Sequence, residues 1–161
     1  MANHSTHEQY MALALEQASY GHLIARPNPS VGCVLVKDNK VVGVGYTQEA
    51  GGPHAEVMAI RAAGDMASGT TAYVTLEPCS HYGHTPPCSL GLIAAGVSRL
   101  VYGCQDPNPQ VAGQGLAQLR AADIEVIGPV MHTECEASNR GFLQRMATNK
   151  PYVINKMAMS L

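Results

Sequence analysis

The sequence predicts an α/β fold, a central sheet with helices on both faces, and three observations carry the prediction. The chain has 161 residues, the size of one domain, enough to bury about two-thirds of the surface its unfolded form exposes. Apolar residues make up 46% and charged residues only 14%, which suits a covered sheet and not a disordered chain. From Val31 onward, β-branched runs alternate with segments of helical spacing, an order that implies a largely parallel sheet. In such a sheet, functional groups collect at the carboxyl ends of strands and at the helix starts that follow.

Ser5 and Glu8 form a capping-box pattern, and Tyr10, Leu13, Ala14, Gln17 and Ala18 give a helical stripe ending near Gly21. "VGCVLVKDNKVVGVGY", Val31 to Tyr46, reads as a hairpin turning at Asp38-Asn39, with both strands apolar enough to be covered on both faces. A helix follows His54. "TAYVTLEPC" is a strand running into Pro78, and after a Gly/Pro/His-rich loop a helix spans about Pro86 to Gly96. "SRLVYGCQ" is a strand, "VAGQGLAQLRAAD" a helix, "IEVIG" a short strand and "TECEASNRGFLQRMATN" one last helix. "KPYVINKMAMSL" reads as a fresh strand.

Net charge is −2 and Lys and Arg are isolated from one another, so a nucleic-acid partner is not expected. The N-terminus lacks the pattern of a secretory signal, and no apolar run approaches the ~18 residues that span a bilayer. The expectation is a cytoplasmic protein with no membrane partner. An odd count of five cysteines argues against a disulfide framework and for metal, catalytic or core thiols.

Three strand-to-helix corners carry chemistry. His54 and Glu56 open one helix, Cys79 follows Pro78 at a strand end, and Cys88 follows Pro86-Pro87 at the next helix start. One imidazole and two thiolates leave the fourth tetrahedral position of Zn²⁺ open, the mark of a catalytic site. Helix starts favour the thiolate form that the metal requires. Two thiolates also cancel the metal's charge and weaken it as a Lewis acid, so a base is needed, and Glu56 is placed to be one. "HAE" followed by "PCSHYGHTPPC" partly meets the zinc nucleobase-deaminase pattern H-x-E…P-C-x-x-C, with the cysteines spread farther apart.

That spread, with "RPNPSVGCVLVKDNKVVGVGY", "GGPHAEVMAI", "AYVTLEPCSHYGHTPPC" and "DPNPQVAGQGL", resembles the deaminase domain of the bifunctional riboflavin-biosynthesis pyrimidine deaminase/reductase family, from about Tyr10 to Leu161. The resemblance implies the three-layer α-β-α cytidine deaminase-like fold, with a central mixed sheet of about five strands. It implies one Zn²⁺ per chain on His54, Cys79 and Cys88, with Glu56 as proton carrier. It also implies hydrolytic deamination of 2,5-diamino-6-ribosylamino-4(3H)-pyrimidinone 5′-phosphate. Asn28 and the Ala55 N–H would hold the pyrimidine, Asp106 and Asn108 lie near the ribose, and His81 and His84 at the phosphate end. Residues 1–150 would be the deaminase domain and 151–161 the start of a reductase domain, to which any NADPH would belong. Association into a homo-oligomer is expected. His84 stands where the family usually has Lys or Arg, and Thr47 where it has histidine; both positions are read as substrate-binding. The alternatives are another zinc deaminase, of cytidine, deoxycytidylate or guanine, and a non-catalytic zinc-stabilised interaction domain.

Other residues read as structural. Cys33, Cys104 and Cys135 are expected in the core, as are the methionines. His4, His7 and His132 are expected at the surface, and His22 near the carbonyls ending the first helix. Glu77 is read as a cap for the loop that follows it or as a contact behind the zinc ligands, the structural role being preferred. Gly113-Gln114-Gly115 lacks the context of a dinucleotide fingerprint.

Overall fold

The computed structural model describes residues 4–82, 86–107 and 112–159. Helix α1 (His4–Gly21) leads into strands β1 (Gly32–Lys37) and β2 (Lys40–Tyr46), followed by α2 (Ala55–Ala63) and a 3₁₀ turn, Gly64–Ala67. Then come β3 (Thr71–Leu76), α3 (Cys88–Ala94), β4 (Arg99–Cys104), α4 (Gln114–Ala121), β5 (Glu125–Ile127), α5 (His132–Ser138) and α6 (Arg140–Thr148).

The strands lie in the order β2-β1-β3-β4-β5. β1 is antiparallel to both neighbours, while β3, β4 and β5 run parallel. The sheet is therefore mixed, as the family resemblance implies, and less parallel than the alternation of elements alone predicts. The hairpin forms as expected, with Asp38 and Asn39 both at positive φ, 49° and 60°, in the two-residue turn whose twist matches paired strands; the difference arises where β1 also pairs antiparallel with β3. Helices α2, α3 and α4 pack together on one side; α1 and α5 pack together on the other, against β1, β3 and β4.

β1 and β3 are buried almost throughout, consistent with their central places. β2 corrects the expectation for the hairpin: it is an edge strand, and Val41 and Val44 are exposed. Its glycines serve packing, because a Cβ on Gly45 would lie 2.3 Å from the Ala55 carbonyl oxygen and 2.6 Å from the Ala59 nitrogen. Only a bare backbone lets α2 approach this closely.

The single C-terminal helix expected from sequence is two helices, broken at Asn139 (φ −117°, ψ 22°). The cause is a long-range bond set. Asn139 is buried, its Oδ1 accepts from the Ser30 N–H at 2.8 Å, and its Nδ2 donates to the Ser30 carbonyl at 2.9 Å. His7 is another correction, being buried rather than at the surface, with its Nδ1 3.0 Å from the Tyr73 hydroxyl. Met11 is core, whereas Met66, Met157 and Met159 are exposed. Cys33, Cys104 and Cys135 are core residues as expected. Residues 149–159 form no helix or strand and are exposed. No helix among the described residues is long and apolar enough to cross a membrane.

Candidate metal centre and catalytic pocket

The sheet's polarity brings the chemistry to one end. β3 and β4 run parallel and β1 opposes them, so the residues after β3, after β4 and after β2 meet the segment that enters β1. The first contributes Cys79, the second Asp106, the third Thr47 and the last Asn28. Helix α2 starts against this same edge, held there by the close approach at Gly45.

His54 is the residue that precedes α2, with extended backbone (φ −76°, ψ 167°). Cys88 opens α3 and is buried. His54 Nδ1 lies 3.2 Å from Cys88 Sγ and 3.7 Å from Cys79 Sγ, and the three donor atoms all fall within 4.8 Å of one another. Zinc bonds of about 2.0 Å to nitrogen and about 2.3 Å to sulfur put tetrahedral N···S edges at about 3.6 Å. The donor set therefore fits a Zn²⁺ ion with little adjustment. Among the described residues this is the one group of three or more such donors close enough to hold a metal.

The loop is braced behind the ligands. The Cys88 N–H donates to Cys79 Sγ at 3.2 Å, and the Ser89 N–H donates to the Cys79 carbonyl, also at 3.2 Å. The Ser89 hydroxyl sits 3.0 Å from that carbonyl and 2.6 Å from Gln118 Oε1 on α4. Hydrogen bonding from the Cys88 thiol and from His54 holds Cys79 as a thiolate, its pKa brought down to about 4, while the shared proton and burial raise Cys88. The Cys79 contact in turn raises His54.

Glu56, the second residue of α2, lies in the first turn of the same helix start and is buried. Burial raises its carboxyl, and the Cys79 thiolate adds to this. A carboxylate held in low dielectric with an elevated pKa suits a group that must take up and release protons near neutrality.

A cavity of about 420 Å³ opens over these groups, lined by Asn28, His54, Glu56, Cys79, His81 and Asp106 among others. The structure thus gathers seven of the ten expected site residues: these six and Cys88. Ala55, the first residue of α2, is fully buried beside His54. His84 and Asn108 lie outside the described residues. Thr47 also lines the cavity, but its hydroxyl is engaged by Val31, accepting from the N–H at 3.0 Å and lying 3.4 Å from the carbonyl. Glu77 has a structural role as expected but at a different place: instead of capping the loop that follows it, its carboxylate accepts from the Gly113 and Gly115 N–H groups at 3.0 and 3.1 Å, fixing the start of α4.

Sequence reading missed the α6 wall. Phe142, Arg145 and Met146 line the cavity, and their i, i+3, i+4 spacing marks one helix face. That face was legible as a stripe; what it faced was not, since α6 lies over 50 residues from Cys88 in the chain.

Comparisons with known proteins agree with this geometry. The riboflavin biosynthesis protein RibD of Escherichia coli K12 is 58% identical over 154 residues, covering 96% of this chain and 42% of that protein. In Acinetobacter baumannii RibD, a solved structure superposes with a TM-score of 0.91 at 48% identity, covering 94% of this chain and 43% of the other. A Thermotoga maritima diaminohydroxyphosphoribosylaminopyrimidine deaminase/5-amino-6-(5-phosphoribosylamino)uracil reductase gives 0.87 at 40% identity, over 92% and 43% of the two chains. The chain spans less than half the length of these relatives. The family model of the cytidine and deoxycytidylate deaminase zinc-binding region matches residues 4–104, and the chain belongs to that family.

Proposed function

We propose that this chain catalyses the hydrolytic deamination of 2,5-diamino-6-ribosylamino-4(3H)-pyrimidinone 5′-phosphate to 5-amino-6-ribosylamino-uracil 5′-phosphate and ammonia. The carrying observation is the buried Glu56 carboxylate beside the His54, Cys79 and Cys88 donors at the wall of a nucleotide-sized cavity. The similarity to RibD proteins over nearly the whole chain supports the choice of substrate.

His54, Cys79 and Cys88 would hold one Zn²⁺, which when bound acidifies a water and makes it a nucleophile near neutral pH. Glu56 would accept one proton of the attacking water and pass it to the adjacent ring nitrogen as the C–O bond forms, then take the proton of the newly added hydroxyl and give it to the departing amine as the C–N bond breaks and the C=O forms. Water and the ring C–NH₂ thereby become ring C=O and NH₃. By the family resemblance, the Asn28 side chain and the Ala55 N–H would hold the pyrimidine edge, with Asp106 and Asn108 assigned to the ribose and His81 and His84 to the phosphate. Residues 151–161 begin a reductase domain in the longer protein, where NADPH would act, and the deaminase units associate as a homo-oligomer.

The test is ammonia release by the zinc-loaded chain from a panel containing the pyrimidinone phosphate, cytidine, deoxycytidylate and guanine. Turnover of the pyrimidinone phosphate alone is expected. Turnover of cytidine or deoxycytidylate in its place would assign another deaminase, and no turnover with zinc retained would leave a zinc-stabilised interaction domain.

A further inference from the structure

The catalytic cavity has an asymmetric charge lining. Its described residues include the carboxyl groups of Glu56, Glu77 and Asp106, but a single Lys or Arg, which is Arg145. Glu77 is occupied by two backbone N–H groups, whereas Arg145 stands exposed on α6 with its Nη2 3.5 Å from the Pro27 carbonyl, next to Asn28. A bond of that length orients the guanidinium at the rim and leaves its remaining N–H donors available.

Beyond Arg145 the cavity continues into a second groove, of about 800 Å³, that shares Asn28, Phe142 and Arg145 with the first. This groove adds Arg26 and Arg140 and, among the described residues, is lined by no Asp or Glu. Three of the chain's ten Lys and Arg residues therefore meet along one continuous surface that starts at the catalytic cavity. Arg140 is tied to Tyr152 by a 3.0 Å hydrogen bond and by stacking, with its guanidinium carbon 5.6 Å from the ring centroid. Arg26 and Arg145 line the groove together with Asn28.

From this we infer that Arg145 is a phosphate-binding residue, receiving the monophosphate of a ribosyl substrate at the junction of cavity and groove. The inference rests on the proposed nucleotide substrate for its catalytic meaning. The physical argument is independent of the base: a dianion is repelled by the carboxylates deeper in the cavity, and a planar guanidinium offers it paired N–H donors. Arg145 thus provides a permanent cation at the rim, since a guanidinium stays charged at every working pH.

Ribose 5-phosphate is the probe, titrated calorimetrically into the zinc-loaded chain and into Arg145→Ala, Arg145→Lys and, as a surface control, Arg61→Ala. Loss of the contact should weaken binding by at least about 10-fold in Arg145→Ala, the scale of one charge-assisted pair, with Arg145→Lys recovering part of it and Arg61→Ala unchanged. Zinc content and unfolding midpoint should stay constant across the set. In the ammonia assay, Arg145→Ala should raise KM for the phosphorylated substrate and leave the dephosphorylated nucleoside unaffected. Unchanged affinity in Arg145→Ala, or no binding of ribose 5-phosphate by the native chain, overturns the inference. Failure of the native chain to release ammonia would instead overturn the proposed reaction, leaving the ribose 5-phosphate result readable.

Discussion

Asn139 binds Ser30 as one backbone strand binds another, with its side-chain amide accepting from the Ser30 N–H and donating to the Ser30 carbonyl. The two residues are 109 positions apart, and both are buried. This clamp ties the break between α5 and α6 to the segment carrying Asn28, and so joins two walls of the cavity. Asn139→Ala strands both Ser30 groups and should lower stability by about 1–3 kcal/mol. It should also raise KM more than it lowers kcat, because Asn28 loses its backing while His54, Cys79 and Cys88 do not. Urea unfolding and steady-state kinetics check this; a fall in zinc content would show that the clamp acts on the metal instead.

The contrast between the two kinds of site residue explains what was legible in the sequence. His54, Glu56, Cys79 and Cys88 announce themselves because zinc chemistry demands particular side chains at helix starts and strand ends, and these are local signals. The hairpin was equally plain in Asp38-Asn39. By comparison, Asn139 looks like any polar residue in a helix, and its consequence, two helices in place of one, depends on a partner beside β1. The antiparallel placement of β1 against β3 and the exposure of β2 are decided by which strands pair, information that hydrophobic patterning does not contain. His7 went unrecognised for the same reason, since its partner Tyr73 lies in the sheet.

Glu56→Gln keeps the shape of the side chain and removes its capacity to carry a proton. Turnover should fall by at least ~10²-fold, the scale of a general acid/base, with zinc retained. Metal analysis beside the ammonia assay separates the roles: loss of zinc would make Glu56 a ligand.

Cysteine reactivity should follow thiolate character. In zinc-stripped protein, Cys79, with a pKa near 4, is already a thiolate at pH 6, whereas burial pushes Cys104 and Cys135 up to about 12, so they remain protonated there. Iodoacetamide at pH 6 should therefore modify Cys79 first and spare Cys104 and Cys135, and prior zinc loading should protect Cys79. Peptide mapping reads the result. Cys79→Ser and Cys88→Ser should each reduce zinc content, and Cys33→Ser should not.

Two glycines in contrasting surroundings test how α2 is seated. At Gly45 an added methyl would press on the Ala55 oxygen and the Ala59 nitrogen, both backbone atoms that can yield only if the helix moves. Gly45→Ala should cost about 1–3 kcal/mol through overpacking, and, because the displaced helix start carries His54 and Glu56, zinc affinity should fall with it. Gly91, inside α3, has nothing within 4 Å of such a methyl beyond its own helix backbone. Gly91→Ala should instead stabilise by roughly 0.5–1 kcal/mol through helix propensity, leaving zinc affinity alone. If Gly45→Ala loses stability yet holds zinc as tightly as the native chain, the metal site does not depend on the seating of α2 against β2, and the loop from Glu77 to Cys88 must position His54 by itself.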